Sequence, residues 1–433
     1  MLNKVNGGGY KYLKETAKYL LRSNLIIRRY IREVEDLYNM NAQQLRERNS
    51  RQFVSLFRKA YDHSPFYRKL YMEAGIRRED IQGIEDIEKL PIVTKEMIRN
   101  HTDEVRTRSK RFLVKNHTSG TTGTPLTVYE SWPALWREQA YFVAYRKRCG
   151  YSYGQPMVSL RGNLGKADTT LKVHASNTLF LSSYNINQDN LSTYYKAIVK
   201  HQPVAIEGYP SSLYALALLL RDADLRLHIP VAFTSSETLL PHQRSLIEER
   251  LGTQIYDHYG TTERTIRLSE RVDHKGYFED PGYSINEYQQ DGGIVTTSLI
   301  NDAFPLIRYR VDDIIDTTQD KEGRTLIKGI EGRSEDYVVC KDGTRVMRLD
   351  FIMKRTHHVK ASQLIQHKAG HLQMKIVPDK DFSQADEEAI VASLAERVGA
   401  GNMDITFEKT SMEGLAYSKS GKFSYIINAI DRV

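Results

Sequence analysis

Residues 117–125, HTSGTTGTP, place five hydroxyl side chains and two glycines in nine positions. Glycine permits close backbone approach and unusual φ/ψ. Hydroxyls and free backbone N–H groups can then surround an oxyanion such as a phosphate. The stretch is not a P-loop, because GxxxxGK[ST] does not fit and no lysine lies inside it. On composition alone it also reads as an ordinary turn. YGTTE, residues 259–263, offers an aromatic face, hydroxyls and a carboxylate. A ring can stack on a purine, a hydroxyl can bond a phosphate, and a carboxylate can hold Mg²⁺. PLIRYRVDD (305–313) and GRSEDY (332–337) each set Arg near a carboxylate. Asp can accept both hydroxyls of a ribose, and Arg can bond phosphate or ribose oxygens. SKSGKF (418–423) puts Lys422 in a Gly-containing stretch near the C-terminus. Taken singly, such loops and ion pairs are ordinary solvated surface.

Something must position these residues, and the texture of the chain says what. From about Phe112, short apolar runs look like buried strands: Pro156–Leu160, Val204–Ile206, Val231–Phe233 and Gln254–Tyr256. Helical stretches lie between them at Ser131–Arg148, Asn190–His201, Ser211–Asp222 and Pro241–Leu251. Alternating strand and helix indicates an α/β domain with a largely parallel sheet. A strand is also expected over Leu126–Tyr129, directly after the hydroxyl-rich stretch. Gly293–Ser298 and Thr325–Ile330 look like strands of an antiparallel or barrel-like part. After Gly332 comes a small α+β unit: strand Leu372–Val377, helix Gln384–Val398, strand Asp404–Glu408.

The N-terminus differs from the rest. Residues 10–34 read as one helix, with Leu13, Ala17, Leu20, Leu21, Ile27, Ile31 and Val34 in a stripe at 3.6 spacing. A second helical stretch runs from about Ala42 to Tyr61. Of the net charge of +8, all belongs to residues 1–75, which hold 15 Lys+Arg and 7 Asp+Glu. The remaining 47 basic and 47 acidic residues cancel. That balance argues against a nucleic-acid-binding surface. The basic helix reads either as a cap packed on the main domain or as a face resting on an anionic membrane. The 433 residues suit two or three domains, and 40 % hydrophobic content is enough for packed cores. The longest apolar run, Leu213–Leu220, is far short of a bilayer span, and no secretory signal is visible. Two cysteines, Cys149 and Cys340, exclude a disulfide framework or a Cys-rich metal site. A cytoplasmic setting fits, with peripheral contact at the inner membrane face as an option.

In their order along the chain, the Ser/Thr/Gly stretch, YGxTE, YRxxD, GRxxD and a C-terminal GK resemble the adenylate-forming superfamily of acyl-CoA synthetases and related ligases. Within it the chain is similar to the phenylacetate–CoA ligase family, in its capsular-polysaccharide-biosynthesis branch. DHSPFYRKLYMEAGI (62–76), KLPIVTKEMIR (89–99), EGYPSSLYALA (207–217) and SSETL (235–239) support the likeness, which covers roughly residue 50 to the end. The resemblance implies a large α/β domain with mixed and parallel sheets, followed by a small mobile α+β domain. The expected division is a basic helical segment over 1–75, an ATP- and acyl-binding domain over 76–334, and a C-terminal domain over 335–433 carrying Lys422. It also implies activation of a carboxylic acid by ATP to an acyl-adenylate, then acyl transfer to an acceptor, commonly the thiol of coenzyme A.

Carried onto this sequence, Thr118, Ser119, Gly120, Thr121, Thr122 and Gly123 would form the loop over the ATP phosphates. Tyr259 would pack on adenine, with Gly260 beside it. Thr262 would contact the α-phosphate, and Glu263 would hold Mg²⁺. Asp313 would take the ribose hydroxyls, Arg333 would assist at ribose or phosphate, and Lys422 would serve adenylation. Glu335 and Asp336 would lie at the hinge, and Glu237 would fill the Glu position of an acyl-pocket motif. No general base is needed, since a carboxylate is ionised at neutral pH. The small domain would rotate to withdraw Lys422 and admit the acceptor.

The chain departs from the pattern at Thr124, where many members have Lys, which throws more phosphate neutralisation onto Lys422 and arginines such as Arg310. SSETL replaces a Gly-Ala-Glu-Pro-like stretch, and CKDGTRV (340–346) replaces a Gly-rich turn. The acceptor therefore has two readings: coenzyme A, or an amine or sugar in surface-polysaccharide assembly that receives the acyl or uronic acid group. A non-catalytic scaffold that kept the fold is the third reading.

Overall fold

The computed structural model describes residues 7–118, 126–160, 164, 169–289, 292–311, 313–319, 325–333, 337–347, 349–353, 358–417 and 423–430. The chain forms two compact units, one ending at Ile330 and the other beginning at Glu331.

The first unit opens with four helices: α1 (Gly7–Arg22), α2 (Leu25–Asn39), α3 (Ala42–His63) and α4 (Pro65–Glu73). The single helix expected over 10–34 is broken at Ser23–Asn24. The Asn24 side chain caps α2, accepting from the backbone N–H of Ile27 at 3.1 Å. The break divides the apolar stripe. Leu13, Ala17, Leu20 and Leu21 face solvent, Ile31 is half-buried, and Ile27 and Val34 are buried. The inner side of α1 is polar–aromatic instead: Tyr19 stacks on Tyr153 with centroids 5.5 Å apart, and Lys11 lies 5.3 Å over the Phe180 ring. Asn41 starts α3 with a reciprocal cap to Gln44, and Ser64 followed by Pro65 starts α4. These two helices are core material. Phe53, Phe57, Tyr67 and Tyr71 are buried against Ile294, Leu306 and Tyr309, and the Tyr67 hydroxyl accepts from the Ile307 N–H at 3.0 Å.

Two short helices, α5 (Lys95–Asn100) and α6 (Thr102–Val105), lead to an antiparallel hairpin of β1 (Leu113–His117) and β2 (Thr127–Ser131). The strand expected at 126–129 thus starts one residue later and runs to Ser131. Ser131 caps α7 (Trp132–Arg148). Then follow β3 (Met157–Leu160), β4 (Thr170–Val173), β5 (Thr178–Leu181), α8 (Gln188–His201), β6 (Ala205–Gly208), α9 (Pro210–Asp222), β7 (Val231–Ser235), α10 (Pro241–Leu251) and β8 (Gln254–Gly260). After them come β9 (Arg267–Glu270), β10 (Tyr277–Glu279), β11 (Ser284–Tyr288), β12 (Ile294–Ser298), β13 (Tyr309–Val311), β14 (Asp313–Gln319) and β15 (Thr325–Arg333).

Ten strands form one mixed sheet in the order β14-β15-β10-β9-β8-β7-β6-β3-β5-β4. Its centre, β5 through β8, is parallel, and β4 and β9 flank it antiparallel. Side chains of alternate residues go to opposite faces. Val158, Ile206, Ala232 and Ile255 meet α8, α9 and α10 on one face. Met157, Ala205, Val231, Phe233 and Tyr256 meet Tyr145 of α7 and Cys149, just past its end, on the other. Each fully buried leucine of α9, such as Leu213 or Leu220, contributes roughly 1.5–3 kcal/mol. Gly208 lets α9 come close, since a Cβ there would stand 2.9 Å from Leu213 Cγ. The segment expected to be antiparallel divides: β11, β12 and β13 make a three-stranded antiparallel sheet, while β15 pairs antiparallel with β10 in the large sheet.

The second unit has a hairpin of β16 (Tyr337–Val339) and β17 (Arg345–Met347), then β18 (Val359–Lys368), β19 (His371–Pro378), α11 (Gln384–Val398), β20 (Asp404–Lys409) and β21 (Ile426–Asn428). Its sheet runs β20-β19-β18-β21, and Leu364, Met374 and Ile376 pack under Ile390 and Leu394 of α11.

Candidate active site

In an open α/β sheet, ligands bind outside the carboxyl ends of the parallel strands. Here those ends carry the starts of SLRGNLG at β3, GYPSS at β6, SSE at β7 and YGTTE at β8. Tyr259 is the penultimate residue of β8, and its hydroxyl donates to the Asp313 carboxylate at the start of β14. The fold thereby joins two expected nucleotide contacts 54 positions apart in sequence. Gly260 ends β8 opposite Arg267 of β9. The chain then turns tightly. Arg264 N–H donates to the Thr261 carbonyl at 3.1 Å, and Thr265 N–H donates to Thr261 Oγ1 at 3.3 Å. Thr262 is exposed on this turn and Glu263 is half-buried beside it.

The hydroxyl-rich stretch connects β1 to β2. Thr118 forms its neck: its N–H donates to the Leu126 carbonyl at 3.0 Å, and its Oγ1 accepts from the Leu126 N–H at 2.9 Å. Ser119, Gly120, Thr121, Thr122 and Gly123 lie outside the described residues. So do Lys422, Glu335 and Asp336. Arg333 closes β15, and its side chain is likewise not described. Arg310 is exposed on β13, where its N–H donates to the Val93 carbonyl at 2.9 Å. Glu237 follows β7, and its Oε2 accepts from the Ser211 N–H in the first turn of α9 at 3.0 Å. A carboxylate is favoured at a helix N-terminus. Ser236, just before it, has φ +71, a conformation that side-chain-bearing residues rarely adopt.

A buried charge network supports the YGTTE turn, and the motifs did not reveal it. Arg264, at φ +58, donates from Nε to Glu130 Oε1 at 2.7 Å and lies 3.1 Å from Glu138. Burial opposes its charge, but Glu138 and Glu130 outweigh burial and hold the guanidinium above its ordinary value. The other oxygen of Glu130 accepts from the Asn116 side chain of β1. Glu130, 1 % exposed, thus ties the strand entering the hydroxyl-rich stretch to the turn carrying Thr262 and Glu263. Arg267, 2 % exposed, pairs with Asp280 at 2.9 Å and Glu138 at 3.4 Å, and lies 4.1 Å over the Phe142 ring. Tyr38 of α2 donates to Asp280, and Tyr283 donates to Glu138 at 2.6 Å. The sequence signal was the pair of arginines on either side of Thr265 and Ile266 in TTERTIR (261–267), which demand carboxylate partners once buried.

Asp257, beneath the same strand end, accepts from Thr234 Oγ1 at 2.6 Å and from the Tyr277 hydroxyl at 2.8 Å. Burial pushes its carboxyl up to about 6. Among the described residues no group of three or more His, Cys, Asp or Glu side chains could hold a metal ion. A Mg²⁺ that takes most of its ligands from phosphates and water needs only one protein carboxylate.

Comparison with known proteins agrees with this architecture. Residues 338–429 match the CapK C-terminal domain family. The protein CapK of Staphylococcus aureus is 25 % identical over 387 residues, covering 84 % of this chain and 83 % of that one. The phenylacetate-coenzyme A ligase of Escherichia coli (strain K12) is 25 % identical over 348 residues, covering 72 % and 77 %. The crystal structure of 2-hydroxyisobutyryl-CoA ligase in the postadenylation state, in complex with R3-HIB-AMP, superposes with a TM-score of 0.69 at 18 % identity over 90 % of each chain. In fold and in sequence the chain is thus similar to adenylate-forming acid–CoA ligases. Within that class its relatives include CapK and the phenylacetate–CoA ligases.

Proposed function

We propose that this enzyme uses ATP and Mg²⁺ to activate a carboxylic acid as its acyl-adenylate and then passes the acyl group to the thiol of coenzyme A. The observation that carries the reading is the Tyr259–Asp313 pair beside the Thr262–Glu263 turn, at the carboxyl end of a parallel strand. A carboxylate and a triphosphate repel each other in water, so the site must neutralise both and align the attacking oxygen with the α-phosphorus. The hydrogen bond to Asp313 fixes the Tyr259 ring for stacking on adenine. Asp313 keeps acceptor capacity for ribose hydroxyls. Thr262 donates to the α-phosphate, and Lys422 neutralises charge that develops as pyrophosphate leaves. Glu263 holds the Mg²⁺, which when bound neutralises phosphate charge as a Lewis acid. ATP–pyrophosphate exchange over a broad acid panel tests the reading. Lys422→Ala should abolish exchange and leave ATP binding in place. Exchange at wild-type rate in that variant, or ATP binding with no exchange for any acid, overturns it.

The second reading changes only the acceptor. The CKDGTRV stretch, standing where a Gly-rich turn is expected, favours an acceptor other than coenzyme A, such as an amine or a sugar. Product analysis with and without coenzyme A separates the two, since efficient thioester formation excludes the second reading as the sole chemistry.

We also propose that α1 and the start of α2 rest on an anionic membrane surface. No helix among the described residues is long and apolar enough to cross a membrane. Yet Leu13, Leu20, Leu21, Leu25 and Ile26 are 48–76 % exposed, beside exposed Lys14, Arg28, Arg29 and Arg32. Apolar side chains rimmed by basic ones suit an anionic interface. Leu13, Leu20, Leu21 and Leu25 changed together to Gln should abolish sedimentation with phosphatidylserine vesicles and leave exchange activity intact. Undiminished sedimentation, or none by the unaltered chain, refutes the contact. Truncation is the poorer test, because Val34 and Leu37 are buried against α7.

A further inference from the structure

We infer that a cleft between α3 and the segment that follows α4 binds a phosphate monoester. None of the residues assigned to ATP lines it. Helix α3 buries Phe53, Leu56, Phe57 and Ala60 in the core. Arg51, Ser55 and Arg58 recur about one turn apart on the side facing away from that core. With Ser50 they form one wall of a cleft of about 560 Å³, and Arg78 and Gln82 form the other. None of the lining residues is acidic. Part of the N-terminal excess of positive charge is thus gathered in one concave place.

The acidic residues nearby are engaged elsewhere. Asp62 binds Arg78 at both oxygens, at 2.9 and 3.0 Å. Asp80 and Glu79 pair with Arg77 at 2.9 and 3.7 Å, Glu85 with Arg46 at 2.7 Å, and Asp86 with Lys89 at 2.6 Å. Glu47, one turn before Arg51, accepts from the Gln43 side chain at 3.1 Å. Arg51 therefore has no ion pair or hydrogen bond among the described residues. Arg58 makes one long bond, from Nη2 to Gln82 Oε1 at 3.4 Å, and its Nε is buried without a partner. A buried donor left unmade is costly, and an anion in the cleft would satisfy it. Ser50 accepts from the Ile84 N–H at 3.1 Å, so its own hydroxyl proton is available to donate. Two uncompensated guanidinium groups and serine hydroxyls suit a doubly charged group with three acceptor oxygens, which a phosphate monoester is near neutral pH. A carboxylate brings half that charge. The volume is that of a small-molecule site, with room for the organic body of the ester. A soluble metabolite and a lipid headgroup both carry this chemistry.

The test is direct titration of the full chain with inorganic phosphate at constant ionic strength, beside two variants. Arg51→Gln with Arg58→Gln should weaken binding about tenfold or more, since each removes charged donors. Asp62→Asn releases Arg78 from its competing carboxylate and should tighten binding about threefold. ATP affinity should be the same in all three chains, which separates the cleft from phosphate held at the nucleotide site. Phosphate binding that the double variant leaves unchanged, weaker binding in Asp62→Asn, or equal competition by chloride overturns the inference and leaves adenylation untouched. If the double variant does not fold, Asp62→Asn decides alone, and binding no tighter than that of the unaltered chain overturns it. Phosphatidylcholine vesicles containing phosphatidate then distinguish the two sources. Sedimentation that falls in the double variant supports a lipid-borne monoester, and equal sedimentation with weakened phosphate titration supports a soluble one.

Discussion

Tyr259 and Asp313 show why residue identity and residue placement are separate questions. Either side chain alone is an ordinary strand-end group. Joined by a hydrogen bond beside Thr262 and Glu263, they make a surface with one aromatic and two acidic functions. The turn that presents them is held from below by Arg264. Its guanidinium pairs with Glu130 and Glu138, both buried. Removing one partner of a buried pair costs roughly 3–5 kcal/mol, because the other charges stay uncompensated. Arg264→Met should therefore lower the unfolding free energy of the first unit by about that amount, read by urea denaturation. Glu130→Gln in the same background should restore part of the loss, since one buried charge then disappears. A loss below about 1 kcal/mol in Arg264→Met would mean that water, not the two carboxylates, solvates the guanidinium.

At the scale of elements, the candidate site is a set of strand-to-helix and strand-to-turn junctions. β7 ends at Ser235, and the chain must reverse into α10 while presenting Glu237 to the first turn of α9. It does so with Ser236 at φ +71. For a residue with a Cβ that region costs on the order of 1 kcal/mol more than for glycine. Ser236→Gly should accordingly raise the thermal midpoint of the first unit by about 1–2 °C in calorimetry. An unchanged or lowered midpoint would show that the serine side chain offsets the strain. The hairpin β1–β2 follows similar logic: Thr118 and Leu126 exchange two hydrogen bonds, so the intervening stretch springs from a fixed neck. Arg264 is the second side-chain-bearing residue at positive φ in the site, so both loops that follow β7 and β8 hold locally unfavourable backbone in place.

The whole first unit carries a pH dependence that the network predicts. The Asp257 carboxyl is pushed up to about 6 by burial, against an ordinary 3.8. The folded chain thus keeps this proton where the unfolded chain has lost it. The contribution of Asp257 to stability is therefore largest below about pH 4, falls as pH rises towards 6, and is flat above. The span is on the order of 3 kcal/mol. The difference in unfolding free energy between Asp257→Asn and the unaltered protein should change across that window and be constant from pH 7 to 9. A difference independent of pH from 4 to 7 would place the titration elsewhere. The same scale explains the N-terminal helices. Alpha-helical periodicity marks a stripe but not what it faces, and docking of α2 on α7 left the stripe of α1 in solvent.

The sequence by itself determined the alternation of strands and helices and the order of the motif stretches along the chain. Local chemistry suffices for that: apolar runs of strand length, helical stretches between them, and hydroxyl- and glycine-rich junctions. It also located the net charge in the first 75 residues. Tertiary structure alone decided which junctions meet. Nothing in the spacing of Tyr259 and Asp313 says that β8 and β14 bring them together, because that pairing depends on the strand order of the sheet. The arginines of TTERTIR call for carboxylate partners, but only the fold shows that Glu130, Glu138 and Asp280 are the ones buried with them. The stripe does not mark the break at Asn24, because helix periodicity continues arithmetically through a cap that the three-dimensional path makes necessary. Periodicity and residue type are properties of neighbours along the chain, whereas the site is made by neighbours in space.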